Sequence, residues 1–294
     1  MFMIFGIPGP LLFGQLLLGL INGAFYALLS LGLAVIFGLL NIVNFAHGAL
    51  FMMGAFCAWM LLEYLGIGYW WSLLLAPIII GGFGILLEKT LISRLYKLDH
   101  LYGLLLTFGL AMVIEGLFRN QYGSSGLPYR IPASLQGATD LGFMFMPNYR
   151  GWVVVAAAIV CFTTWALIER TRLGALLRAA TENAPLVQSF GVNVPRMVTL
   201  TYGAGVGLAA FAGVLAAPIY SVNPNMGSNF IIVVFAVVVI GGMGSILGSI
   251  VTGFGLGVVE GLTKVFYPQA SSTVIFVVMA IVLLIRPAGL FGRI

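Results

Sequence analysis

Charged side chains are scarce in this chain. Only 7% of its 294 residues are Asp, Glu, Lys or Arg, whereas 61% are hydrophobic, and the mean hydropathy is +1.12. In a typical soluble domain about a quarter of the residues are charged. Eight acidic and thirteen basic residues cannot cover the surface of a soluble domain of this length. The composition therefore excludes soluble enzymes and nucleic-acid-binding domains, and it predicts a protein embedded in a lipid bilayer.

Cysteine, histidine and lysine are also rare. The two cysteines, Cys57 and Cys161, lie in apolar runs and form no CxxC pattern, which argues against a disulfide framework or a metal site. The two histidines are far apart in sequence, and no HExxH motif occurs. No lysine follows a glycine, so the chain has no P-loop for ATP. We expect no catalytic residue, no metal site and no cofactor bound by this chain, which is not predicted to be an enzyme.

Long apolar runs make up most of the sequence. At about 20 residues per span, the hydrophobic residues provide for roughly nine membrane-spanning helices. Turn residues and charges place the candidate spans at about 11–32, 44–63, 71–95, 101–119, 151–169, 197–218, 230–243, 246–263 and 273–290. The segment 230–263 forms either two short spans or one span and a re-entrant piece. The predicted fold is an all-α polytopic bundle of about eight or nine spans, with residues 1–294 as a single transmembrane domain.

The positions of the basic residues predict the orientation of the bundle, because cytoplasmic loops of membrane proteins carry an excess of Lys and Arg. We predict that the N-terminus is outside and the C-terminus is cytoplasmic. The cytoplasmic basic residues are then Lys89, Arg94, Lys97, Arg170, Arg172, Arg178, Arg196, Arg286 and Arg293, and the outer ones are Arg119, Arg130, Arg150 and Lys264. Residues 120–150 form an outer loop and residues 170–196 a cytoplasmic loop. A bundle of eight spans would instead place the N-terminus inside.

Glycine is abundant, at 39 of 294 residues. Gly253, Gly257 and Gly261 recur at intervals of four and form a smooth ridge on one helix face. Small residues let helix backbones approach closely in lipid, where no hydrophobic force drives helices together. The ridge predicts tight helix packing, and a smooth ridge also allows helices to slide between two states.

Few polar residues interrupt the apolar spans. Asn22, Asn41, Asn44 and His47 are the candidates for a substrate pathway, since polar groups in an apolar environment need partners. For His47 the alternative is a purely structural hydrogen bond.

Acidic residues lie towards the ends of the predicted spans. Glu115 precedes Arg119, and Glu260 precedes Lys264, by four positions, so each pair lies on one helix face and favours an ion pair. Almost no ionisable side chain stands at the middle of a span, where a proton-driven carrier would place a carboxylate. The sequence therefore predicts an energy source other than a proton gradient.

A short helix is predicted within the cytoplasmic loop 170–196. Asn183 followed by Pro185 is typical of a helix start, and Gly191 is typical of a helix end. The apolar residues of this two-turn helix are Leu186, Val187 and Phe190. Such a helix lies on the membrane surface, packs within its loop, or docks a cytoplasmic partner.

Four motifs in order give the chain a resemblance to a known family. They are residues 44–48 (NFAHG), the segment 172–192, residues 241–245 (GGMGS) followed by Gly248, and residues 286–292 (RPAGLFG). Together they make residues 12–293 resemble the LivH-type permease subunits of bacterial branched-chain amino-acid ABC importers.

The resemblance implies a permease subunit of the bacterial cytoplasmic (inner) membrane that works by alternating access. It implies a second, related permease subunit, two cytoplasmic ATPase subunits that bind ATP and Mg, and a periplasmic or extracellular substrate-binding protein. It also identifies the cytoplasmic loop 170–196 as a coupling loop that docks into the ATPase. The implied docking residues are Glu182, Asn183, Ala184, Pro185, Leu186, Val187, Gln188, Ser189, Phe190 and Gly191.

Two alternatives remain open for the function. The first is a permease of the same family for urea, short amides or organic acids, which related permeases handle. It stays open because the segment 230–240 is wholly apolar where the family pattern often has a lysine. A stand-alone channel or secondary carrier is the other alternative, because the low charge within the spans is compatible with a channel.

Overall fold

The computed structural model of the chain describes residues 3–4, 7–40, 44–96, 98–142 and 144–292. These residues are mostly helical. The α-helices are α1 (Gly9–Leu40), α2 (Ala46–Leu65), α3 (Tyr69–Thr90), α4 (His100–Tyr122), α5 (Asn148–Arg170), α6 (Arg172–Glu182), α7 (Ala184–Ser189), α8 (Val194–Tyr220), α9 (Met226–Gly241), α10 (Ile246–Phe266) and α11 (Val274–Ile285). Short 3₁₀ helices occur at Ile92–Leu95, Ala133–Leu135 and Pro268–Ala270. Two small antiparallel hairpins pair β1 (Met3–Ile4) with β2 (Ile7–Pro8), and β3 (Ala138–Asp140) with β4 (Phe145–Pro147).

The predicted all-α polytopic membrane bundle is confirmed. Among the described residues, seven helices are long and apolar enough to cross a bilayer, namely α1 to α5, α8 and α10. The apolar helices α9 and α11 are shorter, at 16 and 12 residues. The ambiguous segment 230–263 forms two helices, α9 and α10, separated by a turn in which Gly242 and Gly244 adopt positive φ angles. Only glycine adopts such angles at little steric cost.

The bundle consists of two inverted sets of four helices, α1–α4 and α8–α11. Helices α1 and α8 are antiparallel: Tyr220 donates a hydrogen bond to Asn22, whereas Gly32, further along α1, lies against Gly205, nearer the start of α8. In each set the third helix packs against the first helix of the other set, so α10 lies along α1 and α3 lies along α8. The remaining helices, α5 to α7, connect the two sets.

A carboxylate occupies a corresponding place in each set. Glu88 of α3 accepts a hydrogen bond from Thr199 of α8 at 2.7 Å. Glu260 of α10 accepts one from Tyr26 of α1, also at 2.7 Å. All four side chains are buried. Each hydrogen bond therefore joins the third helix of one set to the first helix of the other.

The ridge of Gly253, Gly257 and Gly261 lies against α1. A Cβ atom added to Gly257 would lie 2.3 Å from the carbonyl oxygen of Gly19, and one added to Gly253 would lie 2.5 Å from the Cα of Ala27. Neither position has space for a side chain, so the two backbones approach as closely as glycine allows. The contact between α3 and α8 is built in the same way, because a Cβ on Gly81 would lie 2.9 Å from the carbonyl oxygen of Gly203.

The coupling loop contains more helix than the sequence predicts. Besides the short α7, residues 172–182 form α6, which buries Gly174, Leu177 and Ala180 on one face. The residues between these positions are mainly exposed or half-buried, so α6 is amphipathic and forms by packing rather than by overall apolar character.

Candidate transport pathway and docking segment

Helix α2 begins inside the bundle rather than at its end. Asn44, two residues before α2, donates from Nδ2 to the hydroxyl of Tyr202 at 2.9 Å, eight residues into α8. His47 Nε2 lies 3.1 Å from the carbonyl oxygen of Leu29, eleven residues before the end of α1. At 1.5 Å per residue, these contacts lie about 12–17 Å from the nearer ends of α8 and α1. The first turn of α2 is therefore deep between its neighbours.

Helix α9 also begins inside the bundle, and its first turn touches that of α2. A Cβ on Gly48 would lie 2.7 Å from the carbonyl oxygen of Gly227, and one on Gly227 would lie 2.2 Å from that of Gly48. One turn further, the ring of Phe230 packs at 6.4 Å from the ring of Phe25, near the middle of α1. Two helix N-termini from opposite sets thus meet in the interior.

Both of these N-termini are buried, and neither has a side-chain cap. The N-cap residues, Phe45 of α2 and Asn225 of α9, accept no capping hydrogen bond through their side chains. The helices α4, α7, α8 and α10, by contrast, have side-chain caps from Asp99, Asn183, Asn193 and Ser245. The first N–H groups of a helix lack intrahelical acceptors, and they carry a partial positive charge.

Two of the predicted pathway residues come together at the start of α2. Asn44 and His47 are 1% and 0% exposed, and each has one polar atom without a hydrogen-bond partner, Oδ1 of Asn44 and Nδ1 of His47. Asn22 lies elsewhere, because its partner Tyr220 ends α8 about 27 Å along the helix from Tyr202. The predicted pathway residue Asn41 lies outside the described residues.

The residues that complete this region are not evident from the sequence. Tyr202 binds Asn44 from 158 positions away, and Gly227 contacts Gly48 from the other set. The one available signal was the hydroxyl of Tyr202, which is a polar group in an apolar run. Nothing in the sequence identified Gly227 among so many glycines.

One predicted ion pair is absent and one is present. Glu115 and Arg119 are not in ion-pair contact; instead Arg119 Nη2 donates to Oδ1 of Asn225 at 2.6 Å. Asn225, just before α9, gives Arg119 an acceptor outside its own helix. Sequence spacing cannot indicate such a contact. Glu260 and Lys264 do form an ion pair, with Oε1 and Nζ 2.5 Å apart.

The helix predicted in the coupling loop is α7, and it exposes apolar side chains. Oδ1 of Asn183 accepts a hydrogen bond from the backbone N–H of Leu186 at 3.0 Å, and Gly191 has a φ angle of 84°. Val187 is buried against Ala180 and Val194. The exposed apolar side chains are Leu186, 54% exposed, and Phe190, 79% exposed.

Helix α6 fixes this segment to α5. A Cβ on Gly174 would lie only 1.6 Å from the carbonyl oxygen of Ile168, so α6 is pressed against the last turn of α5. Arg178 donates to the same carbonyl at 3.0 Å and pairs with Glu169 at 3.2 Å. Helix α7 is therefore joined through α6 to a long apolar helix.

The chain matches known transport proteins over nearly its whole length. The family model described as the branched-chain amino acid transport system / permease component matches residues 15–284. The permease protein BraD of Pseudomonas aeruginosa is 30% identical over 95% of each chain, and LivH of Salmonella typhimurium is 28% identical over 95% of each. The latter organism's LivM is 26% identical over 90% of this chain and 67% of its own. Both LivH and LivM are named as permease proteins of a high-affinity branched-chain amino acid transport system.

No solved structure matches the chain. The family match covers both inverted sets of helices, from within α1 to within α11. The chain belongs to the family of permease components of branched-chain amino acid transport systems.

Proposed function

We propose that this chain is the membrane permease subunit of an ATP-driven importer for branched-chain or related amino acids. The names of its relatives support the substrate class, since BraD and LivH are both described as high-affinity branched-chain amino acid permeases. The inverted sets support alternating access, because two similar halves of opposite direction can exchange roles on the two sides of a membrane.

The observation that carries the proposal is the exposed apolar surface of the coupling loop. Leu186 on α7 and Phe190 at its C-cap are both exposed, and α7 directly follows α6, which an ion pair joins to α5. Neighbouring exposed apolar side chains outside the spanning helices favour a protein interface. We assign residues 182–191 to docking on cytoplasmic ATPase subunits, which bind the ATP and Mg that this chain has no P-loop to hold.

The other proposed partners are the remaining components of the same transport system. The chain matches LivM as well as LivH, which supports pairing with a second, related permease subunit. Two ATPase subunits would dock beneath the pair, and a periplasmic or extracellular binding protein would deliver substrate on the opposite side. The substrate pathway would pass the polar residues Asn22, Asn41, Asn44 and His47.

The distribution of charge supports the orientation. Among the described residues, Lys89, Arg94, Arg170, Arg172, Arg178, Arg196 and Arg286 lie at the end of the bundle that holds α6 and α7, and Arg119, Arg130, Arg150 and Lys264 lie at the other end. The positive-inside rule places the first end in the cytoplasm. The N-terminus is then outside, the C-terminus is inside, and the segment 123–147 faces outward.

Co-purification tests the proposed function. The tagged chain should bring ATPase subunits and a second permease subunit with it when it is extracted gently. Leu186→Asp should release the ATPase subunits and abolish uptake, because a charge replaces an apolar contact. Phe145→Asp, which also places a charge at an exposed apolar position but in the outer hairpin, is the control and should retain them. A lone oligomer that moves solute without ATP would instead indicate a channel or secondary carrier.

A further inference from the structure

The first turn of α2 has the chemistry to bind a zwitterion. We infer that it is the binding site for an α-amino acid within the membrane. The carboxylate would lie at the backbone N–H groups of α2, and the ammonium at Oδ1 of Asn44 and Nδ1 of His47. This inference rests on the proposed function for the substrate class, and it adds the site and the groups that recognise each end of the substrate.

The two unpartnered atoms are both acceptors. A carbonyl oxygen only accepts hydrogen bonds, so the Nε2 of His47 beside the carbonyl of Leu29 carries the proton. In a neutral imidazole the other nitrogen, Nδ1, is then an acceptor. The amide of Asn44 donates through Nδ2 to Tyr202, which leaves its Oδ1 as an acceptor too. Buried acceptors without donors are unfavourable, and an ammonium group supplies three donors.

The helix end beside these acceptors offers the opposite chemistry. The N-terminus of α2 is buried, lacks a side-chain cap, and favours an anion through its N–H groups and helix dipole. Acceptors for a cation and donors for an anion thus lie within one turn of helix. An α-amino acid carries both groups on one carbon, whereas an organic acid leaves the acceptors without donors.

The neighbouring N-terminus of α9 has polar partners of its own. The hydroxyl of Ser228, in the first turn of α9, donates to the carbonyl oxygen of Asn225, and Arg119 of α4 donates to the side chain of Asn225. At the start of α2, the backbone N–H of Phe45 donates to Thr107 and that of His47 to the carbonyl oxygen of Asn44. The atoms that remain without a partner there are Oδ1 of Asn44 and Nδ1 of His47.

The surroundings suit an apolar side chain. The rings of Phe51 and Phe230 pack 5.5 Å apart beside the first turns of α2 and α9, and Phe25 lies on the same cluster. The first turns of α2 and α9 pack directly against each other beside this cluster, through Gly48 and Gly227.

Ligand binding to the purified complex without its binding protein tests the site. The probes are L-leucine, 3-methylbutylamine, which lacks the carboxylate, and 4-methylpentanoate, which lacks the ammonium. Saturation-transfer NMR detects such weak ligands. Asn44→Leu should weaken leucine and 3-methylbutylamine binding by roughly tenfold to a hundredfold, as expected for a lost hydrogen bond to a charged group. It should leave 4-methylpentanoate binding unchanged.

Two further variants separate recognition from folding. Asn44→Asp keeps an acceptor at the position of Oδ1 and should retain binding of the amine. Ser30→Ala removes a buried hydroxyl of α1 that bonds only to the carbonyls of Ala27 and Ser249, and it should bind all three probes like the wild type.

The outcomes distinguish this site from the proposed function. Three results would overturn the site. They are wild-type leucine binding by Asn44→Leu, an equal loss of 3-methylbutylamine and 4-methylpentanoate binding in that variant, and a wild-type complex that binds no leucine. ATP-driven leucine uptake by the wild type is measured separately. Leucine import without the predicted pattern of probe binding would support the proposed function and contradict the proposed site. The predicted pattern without ATP-driven import would support the site and contradict the function.

Discussion

Tyr26 and Glu260 join the two halves of the bundle. The hydroxyl of Tyr26 donates to Oε2 of Glu260 at 2.7 Å, and both side chains are buried. Lys264 binds the other carboxylate oxygen. The carboxylate thus has a partner on α1 and another on its own helix, which explains how an acidic residue is accommodated within an apolar span.

Removing the hydroxyl should destabilise the fold. In Tyr26→Phe, one oxygen of Glu260 loses its donor inside the bundle, which should cost about 1–3 kcal/mol. Thermal unfolding in detergent should therefore show a lower midpoint. Tyr267→Phe is the control, because that side chain is exposed. Equal midpoints for the two variants would contradict the account of this contact.

The glycine ridge gives a matched pair of variants on one helix. Gly257→Ala places a methyl group against the backbones of Gly19 and Gly23, whereas Gly255→Ala faces open space. We expect the first variant to lose most of its folded, monodisperse protein and the second to accumulate normally, as measured by size-exclusion chromatography of a fluorescent fusion. A similar loss for both would show that the close approach of α1 and α10 is not required.

Local sequence patterns predicted most of the helices, because apolar runs and turn residues are local signals. All nine candidate spans correspond to apolar helices, although α1 continues from residue 32 to Leu40. Composition alone does not indicate where a helix such as α1 ends relative to the membrane boundary. Helix α6 was not predicted, because charged residues interrupt its six Ala and Leu residues and leave no long apolar run.

Long-range contacts could not be predicted in this way. Asn44 and His47 could be identified because they are polar residues at the start of a predicted span. They lie near each other in the structure because they are close in sequence. Their partners Tyr202 and Leu29, and the contact of Gly48 with Gly227, depend on how the two sets of helices interlock. A single sequence has no signal for that pairing.

The joint between α5 and α6 should be needed for coupling. Gly174→Ala adds a methyl group 1.6 Å from the carbonyl oxygen of Ile168, so α6 must move and carry α7 with it. We expect ATPase subunits to be lost on purification although no docking residue has changed. Ala175→Ser, at the exposed neighbouring position, should retain them. Full retention by the Gly174 variant would show that the position of α6 is not critical.

Cysteine labelling should reveal the orientation. The native Cys57 and Cys161 are both buried, so a maleimide should give little background. Because positions 145 and 190 lie at opposite ends of the bundle, a membrane-impermeant maleimide should label Phe145→Cys on intact cells and Phe190→Cys only in inside-out vesicles. The opposite pattern would invert the proposed orientation.

The most direct test of an ATP-driven permease is leucine uptake into proteoliposomes that contain the chain with its co-purified subunits. With the binding protein outside and ATP inside, the wild type should accumulate leucine, and Leu186→Asp should not, while Phe145→Asp retains ATPase association. Leucine uptake by the chain alone without ATP, or normal ATP-dependent uptake by Leu186→Asp, would contradict the account.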